Sequence, residues 1–390
     1  MAEDDTDPAR VAVPDCLRNP QGRQALEQGI LRLALRVGQA RISPAQWRLL
    51  LGALPVRAAV AVCLYKLTLN SLLGPRIAYN PYLTSHVAPT SFQQKQEAEA
   101  ARVRRFYHDK DRRLALGSVL LQRAAACWVL GDTFATLPIE RSPHNKPFVP
   151  TRGRRLPGWG FNVSHHGEWA VLAAERDAAV GTDLVDLRDR PLEAGVTSLD
   201  YLAHFRRHLT PAEWDALVAL PGDGARYRAF YRLWAVKEAY VKALGLGLSF
   251  PIRRIECPVV DVDGPSLAPG AGREGWGGDE IMIDGYALGE WKLEFSRLEP
   301  GGVYLWCTAT GPPQPLPQGS GGGSGNHLAS IASEEAEPIA PGVSGQEEAG
   351  LRATWHELTL EECLPRGLRV EWERVGREEG GEAAVVEAGE

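Results

Sequence analysis

Apolar and polar residues alternate most clearly between residues 160 and 186, where GFNVSHHGEWAVLAAERDAAVGTDLVD breaks into three short runs. Phe161 and Val163 alternate up to a turn at Gly167; Trp169, Val171 and Ala173 alternate again; after the polar ERD a third run reaches Thr182 and Asp183. A period of two marks half-buried strands, so the stretch predicts an antiparallel meander. Downstream the period lengthens. WAVKEAYVKALG predicts a helix ended by Gly245 and Gly247, with Glu238 and Lys242 one turn apart on a shared face and Trp234, Val241 and Leu244 facing inward.

Helical patterns also cover residues 24–73, where Ser43 offers an N-cap ahead of Pro44, and the stretch from Arg104 to Leu130. In LTPAEW, Thr210, Pro211 and Glu213 form a capping box. LSFPIRRIECPV, IMIDGYA, EWKLEFSRL and VYLWCTAT read as strands, whereas no strand pattern stands out ahead of Phe106. The pattern predicts an α+β chain of two lobes, each of helix packed on antiparallel strands. The expected order is a helical N-terminal region at 1–95 with no assigned role, a first lobe at 96–185, and a second lobe at 186–310 that carries the WAVKEAY helix. A Pro/Gly/Ser/Glu linker at 311–350 buries too little apolar surface to order itself; an element at 351–375 docks back on the body; an acidic, disordered tail fills 376–390.

At 390 residues the chain exceeds one typical core, in keeping with two lobes. The net charge of −6 is unevenly spread: residues 331–390 carry 15 acids and 5 Arg, which leaves the remainder at +4. That balance is too weak to predict nucleic-acid binding, and it suits a body that binds a polyanion and an acidic protein partner. Six cysteines without C-x-x-C spacing read as reduced thiols. The acidic start MAEDDTD resembles no targeting peptide, and the apolar run from Ala58 to Tyr65 stops at Lys66, short of a membrane span, so a cytoplasmic protein with no membrane contact is expected.

Glu238 and Lys242 alone would be an exposed helix pair contributing about 0.3–0.5 kcal/mol. Asp183 changes that reading. Between Val180 and Leu184 its carboxylate needs a cation, and with Glu238 it could hold one Mg²⁺, an ion that prefers oxygen ligands. His165 and His166 alone read as turn histidines or a weak metal site that lacks further ligands.

The ordered set FNVSHHG, VGTDLVD and FYRLWAVKEAYVKALGLGL resembles the larger, two-lobed 4′-phosphopantetheinyl transferases, especially the eukaryotic enzymes that serve aminoadipate-semialdehyde dehydrogenase and their fungal lysine-pathway counterparts. Gly181, Asp183, Trp234, Lys237, Glu238 and Lys242 fall on the family signature, and the resemblance spans roughly residues 96–310. It implies two pseudo-symmetric lobes and transfer of the 4′-phosphopantetheine arm of coenzyme A to a serine of an apo carrier protein, with release of adenosine 3′,5′-bisphosphate. Asp183 and Glu238 would hold Mg²⁺, Glu238 would take the serine proton, and Lys242 would neutralise the leaving nucleotide. Lys237 would support the site or face the carrier. Arg102, Arg141, Lys146, Ser164 and His165 match the family's holders of the 3′-phosphate and adenosine. Two departures stand out. Asn145 replaces the Gly of an R-x-x-x-G-K-P loop, a mild change because Asn tolerates left-handed backbone, and Val185 stands where many bacterial relatives carry a third carboxylate. The implied carriers are aminoadipate reductase, fatty acid synthase, and polyketide or peptide synthetase domains, served by a monomer. The alternatives are a hydrolase of the coenzyme A pyrophosphate and a non-catalytic coenzyme A-binding scaffold.

Overall fold

Residues Leu31–Arg36 form a strand, β1, inside a stretch whose pattern predicts helix. Gly29 stops the preceding helix, α1 (Pro20–Gln28), with a left-handed φ of 75°, and LRLALR then sets Leu31, Leu33 and Leu35 on one face. Helix α2 (Pro44–Ala53) follows, capped reciprocally by Ser43 and Gln46. The structure, a computed structural model, describes residues 7–38, 40–54, 99–151, 155–190, 195–260, 276–277, 281–298, 303–313 and 355–387. Most of the expected linker, and residues 55–73 of the stretch expected to be helical, lie outside them.

β1 pairs antiparallel with β5 (Trp169–Arg176) and parallel with β13 (Trp355–Leu358), and β4 (Trp159–His166) closes a sheet of order β13-β1-β5-β4. Both edges of β5 are thereby taken. The expected three-stranded meander therefore stops at two, and β6 (Ala179–Asp186) crosses to a second sheet, β6-β12-β11-β8, with β12 (Tyr304–Gly311), β11 (Lys292–Leu298) and β8 (Trp276–Gly277). The lobe boundary accordingly precedes β6, beside Asp177 at φ 54°, rather than following Val185.

Strand alternation separates three apolar clusters. Leu31, Leu33, Leu35 and Leu172 face helix α3 (Asp109–Leu130) in the first. Leu305, Cys307 and Ala309 face helix α6 (Gly222–Leu244) in the second. The intervening residues Ala34, Trp169, Val171, Leu184 and Trp306 meet between the sheets in the third. The layers run α3, sheet, sheet, α6. Arg32, pointing from β1 into the middle layer, pairs with Glu175 at 2.6 Å and with Glu294 of β11 at 2.8 Å, so an N-terminal strand ties both lobes.

α3 starts later than the pattern predicts. Residues 99–104 are helical, the chain breaks, and α3 begins after an extended His108 with Asp109 and Asp111 in its first turn, where carboxylates suit the helix dipole. Among the described helices, only α3 is long and apolar enough to cross a membrane; 89% of that window is buried inside the fold. Small elements complete the second lobe: α4 (Ser198–Ala203), α5 (Pro211–Ala219), and β7 (Ile255–Glu256), β9 (Met282–Ile283) and β10 (Tyr286–Ala287) in a three-stranded ribbon. After β13 the chain buries Leu360, Cys363 and Leu364 in the first lobe, joined by Trp372 of the last helix. Helix α7 (Arg366–Glu387) follows, so residues 376–387 are helical rather than disordered; Arg374 pairs with Glu371 and Glu378 at helical spacing.

Candidate active site

Three half-buried side chains, Trp234, Glu238 and Lys242, stand four residues apart on α6 among buried neighbours. They line a cleft of about 700 Å³. Trp234 packs on the core that holds Val241 and Leu244, against Phe205 and Phe230, and also borders the cleft one turn before Glu238. Opposite stands β6, whose alternation turns Gly181, Asp183 and Val185 toward α6 while Thr182 and Leu184 enter the middle layer. Gly181 permits this approach, because a Cβ there would lie 2.0 Å from the Ala239 carbonyl oxygen and 2.2 Å from the Ala243 nitrogen. Gly181→Ala is expected to cost about 1–3 kcal/mol in denaturant unfolding, since strand or helix must shift, and to lower activity with it. Unchanged stability would mean that β6 and α6 are less tightly held than described.

The free edges of β4 and β6 meet through side chains. Asn162 Oδ1 accepts the Thr182 N–H at 3.0 Å, and the Ser164 hydroxyl donates to Asp183 Oδ1 at 3.0 Å. Lys242 Nζ donates to the same Asp183 oxygen at 2.5 Å and to Ser164 Oγ at 3.1 Å. Burial and, next, the Asp183 charge raise the pKa of Glu238, with Lys242 opposing. Among the described residues no three His, Cys, Asp or Glu side chains form a metal cluster. Asp183 and Glu238 nevertheless fit a divalent ion: they are two oxygen donors whose mutual repulsion a cation would relieve. Val185 shares their face and lines the cleft, and Asp186 turns away to pair with Arg188 at 2.8 Å.

One end of the cleft gathers cations. Protein surroundings lower the Arg102 pKa, and burial followed by the Arg102 charge brings Arg141 down to about 10. Arg141 donates to the Asn145 carbonyl at 2.8 Å, and its buried Nε has no partner among the described residues. This Arg sits in β2 (Glu140–Arg141), paired with β3 (Pro147–Phe148) across a loop in which Asn145 takes φ 67°, the left-handed backbone anticipated at this position. Lys146 lines the cleft too, but its Nζ donates to the carbonyls of Val180 at 3.0 Å and Ala243 at 2.8 Å, and burial holds its pKa near 8. It pins the end of α6 to β6. His165 Nδ1 lies 3.2 Å from Ser118 Oγ. Although one edge of the ring is open, the surrounding protein and then Lys242 lower its pKa.

Lys237 does not face a carrier. Its side chain is fully buried, with Nζ 2.8 Å from Glu213 Oε2 and 2.5 Å from the Ile255 carbonyl. Glu213 also accepts the Thr210 and Cys257 N–H groups, so the capping-box carboxylate doubles as the lysine's partner. The pattern also gave no sign of Ser118, Asn162, or the aromatic wall of Tyr201, Phe205 and Phe230 that continues the cleft past Trp234.

Residues 79–177 match the family model described as 4′-phosphopantetheinyl transferase, N-terminal, and residues 179–290 match the 4′-phosphopantetheinyl transferase superfamily. The junction of the two matches falls where the chain passes from the first sheet into β6. The chain belongs to the 4′-phosphopantetheinyl transferase superfamily. It is 36% identical over 169 residues, 43% of its length, to a Xenopus laevis L-aminoadipate-semialdehyde dehydrogenase-phosphopantetheinyl transferase, covering 55% of that protein. It is 37% identical over 165 residues, 41% of its length, to a phosphopantetheinyl transferase of Thraustochytrium sp., again covering 55%. With the Homo sapiens protein of the same name as the Xenopus one it shares 28% identity over 206 residues, 52% of this chain and 63% of that one. The chain thus matches little more than half the length of these relatives.

Proposed function

We propose that the chain transfers the 4′-phosphopantetheine arm of coenzyme A to a serine of an apo carrier protein, and that the cleft between α6 and β6 is where this happens. The carrying observation is the meeting of Asp183, Glu238 and Lys242 at the mid-point of a cleft that is cationic at one end and aromatic at the other. A substrate with a polyanionic head and a neutral arm fits that polarity. Arg102, Arg141 and His165 receive the 3′-phosphate and adenosine, with Ser164 beside them, and Lys242 meets the pyrophosphate. Asp183 and Glu238 would hold Mg²⁺, which when bound neutralises pyrophosphate charge. Glu238 accepts the serine proton as the serine oxygen attacks the phosphorus that carries the arm. The bond from that phosphorus to the nucleotide breaks, and adenosine 3′,5′-bisphosphate leaves with its charge opposed by Lys242. The names of the relatives point to a carrier on an aminoadipate-semialdehyde dehydrogenase; fatty acid, polyketide and peptide synthetase carriers offer the same serine. Because one chain builds both walls of the cleft, a monomer suffices. The test is chromatography of the nucleotide product. Adenosine 3′,5′-bisphosphate should appear only when an apo carrier is present, and release without carrier would indicate a hydrolase.

His165 should make coenzyme binding pH-dependent. Ser118 donates its hydroxyl hydrogen to the Leu114 carbonyl at 2.8 Å, so the imidazole supplies the hydrogen between Nδ1 and Ser118. Nε2 then carries a hydrogen only in the imidazolium. Since the ring's pKa is lowered in the free protein, binding a 3′-phosphate must draw in a proton. The preference for coenzyme A over its dephospho form should therefore rise as pH falls, by up to about tenfold per unit between the free and bound pKa values, and His165→Ala should flatten it. A preference that ignores pH in the parent protein would place the phosphate away from His165.

A further inference from the structure

We propose that Lys242 is an internal counter-ion that keeps Asp183 closed to a divalent cation until a polyphosphate arrives, so that cation and coenzyme bind cooperatively. This rests on the functional reading above. The Ser164 hydroxyl gives its hydrogen to Asp183 Oδ1, and Lys242 Nζ contacts both that oxygen and Ser164 Oγ, which closes a triangle with edges of 3.0, 2.5 and 3.1 Å. Asp183 is only 7% exposed, so the oxygen held by these two donors has little further access. Two carboxylates and one ammonium leave the group one negative charge, and a divalent ion that enters must share Asp183 with a cation. The repulsion falls when Lys242 has another anion to meet.

Polyphosphate supplies that anion on the side of the cleft where the arginines gather. A lysine has a flexible four-carbon stem and a strongly hydrated head, and Lys242 is partly exposed to the cleft, so it can exchange partners without moving α6. Ser164 keeps its bond to Asp183 and holds the carboxylate in place. Coupling of this kind is reciprocal: whatever factor the coenzyme adds to cation affinity, the cation returns to the coenzyme.

Mn²⁺, followed by its electron spin resonance, is titrated into the full chain alone and with coenzyme A, with no carrier present so that nothing turns over. The parent protein should bind Mn²⁺ about tenfold or more tightly with coenzyme A than without. Lys242→Gln and Lys242→Met should bind Mn²⁺ alone about tenfold more tightly than the parent and lose most of the gain from coenzyme A. Two variants, each checked by circular dichroism, guard against one that misfolds. If folded variants bind Mn²⁺ alone no better than the parent, or if coenzyme A leaves parental affinity unchanged, the counter-ion role is overturned and the transfer reading stands. Mn²⁺ bound in no arm, or bound equally by Asp183→Asn, would overturn the placement of the cation in the proposed function as well.

Discussion

Glu238→Gln should slow arm transfer by at least about 10²-fold, the usual scale for a lost general base, while circular dichroism and thermal unfolding stay close to those of the parent. The substitution keeps size and helix propensity and removes only the charge. Glu238 makes no hydrogen bond to another described side chain, and its strongest charged neighbour is the repelling Asp183, so the folded state has little to lose. The raised pKa also sets a sign. In the metal-free protein, Glu238 should release its proton at a pH above the ordinary glutamate value, which NMR titration of its carboxyl carbon checks. Near-normal turnover by a folded Glu238→Gln would remove Glu238 from the chemistry.

Lys237→Met, one residue away, should have the opposite profile. Removing one partner of a fully buried ion pair leaves Glu213 charged, enclosed and unpaired, at a cost of about 3–5 kcal/mol. Lys237 also satisfies carbonyls at Ile255 and, at 3.4 Å, His208, so the segments that flank α6 should loosen with it. Lys237→Met with Glu213→Gln should recover part of the loss, because Gln removes the stranded charge and still accepts the Cys257 N–H. Denaturant unfolding of the single and double variants measures this, and a single variant as stable as the parent would mean that the pair is not closed to water.

The α+β class was legible in the sequence, as was the shared face of Glu238 and Lys242; the order of strands in the sheets was not. Spacing alone put Glu238 and Lys242 on one helical face, and the apolar neighbours of Asp183 marked a carboxylate in need of a cation. The same spacing rule, applied one turn earlier, places Trp234 beside them. Lys237 lies about 100° around the helix, which excludes the Glu238 face, but spacing cannot say what it meets; its partner Glu213 comes from a different helix and was visible only as a cap. β1 was legible in LRLALR, a strict alternation hidden within a longer helical pattern. Missing it misplaced β6 as well, since only the filled edge of β5 sends β6 to the second sheet. Which edge a strand takes depends on partners distant in sequence, here Leu31–Arg36 and Tyr304–Gly311, and local periodicity carries no record of them.

Mass spectrometry of an apo carrier protein, after incubation with coenzyme A, Mg²⁺ and this chain, reads arm transfer itself. Parallel reactions with Asp183→Asn and Glu238→Gln complete the measurement. With the parent protein the carrier should become heavier by one phosphopantetheine arm on its serine, and either folded variant should give little conversion. A carrier left unmodified by the parent, or modified equally by all three, would contradict arm transfer at this site.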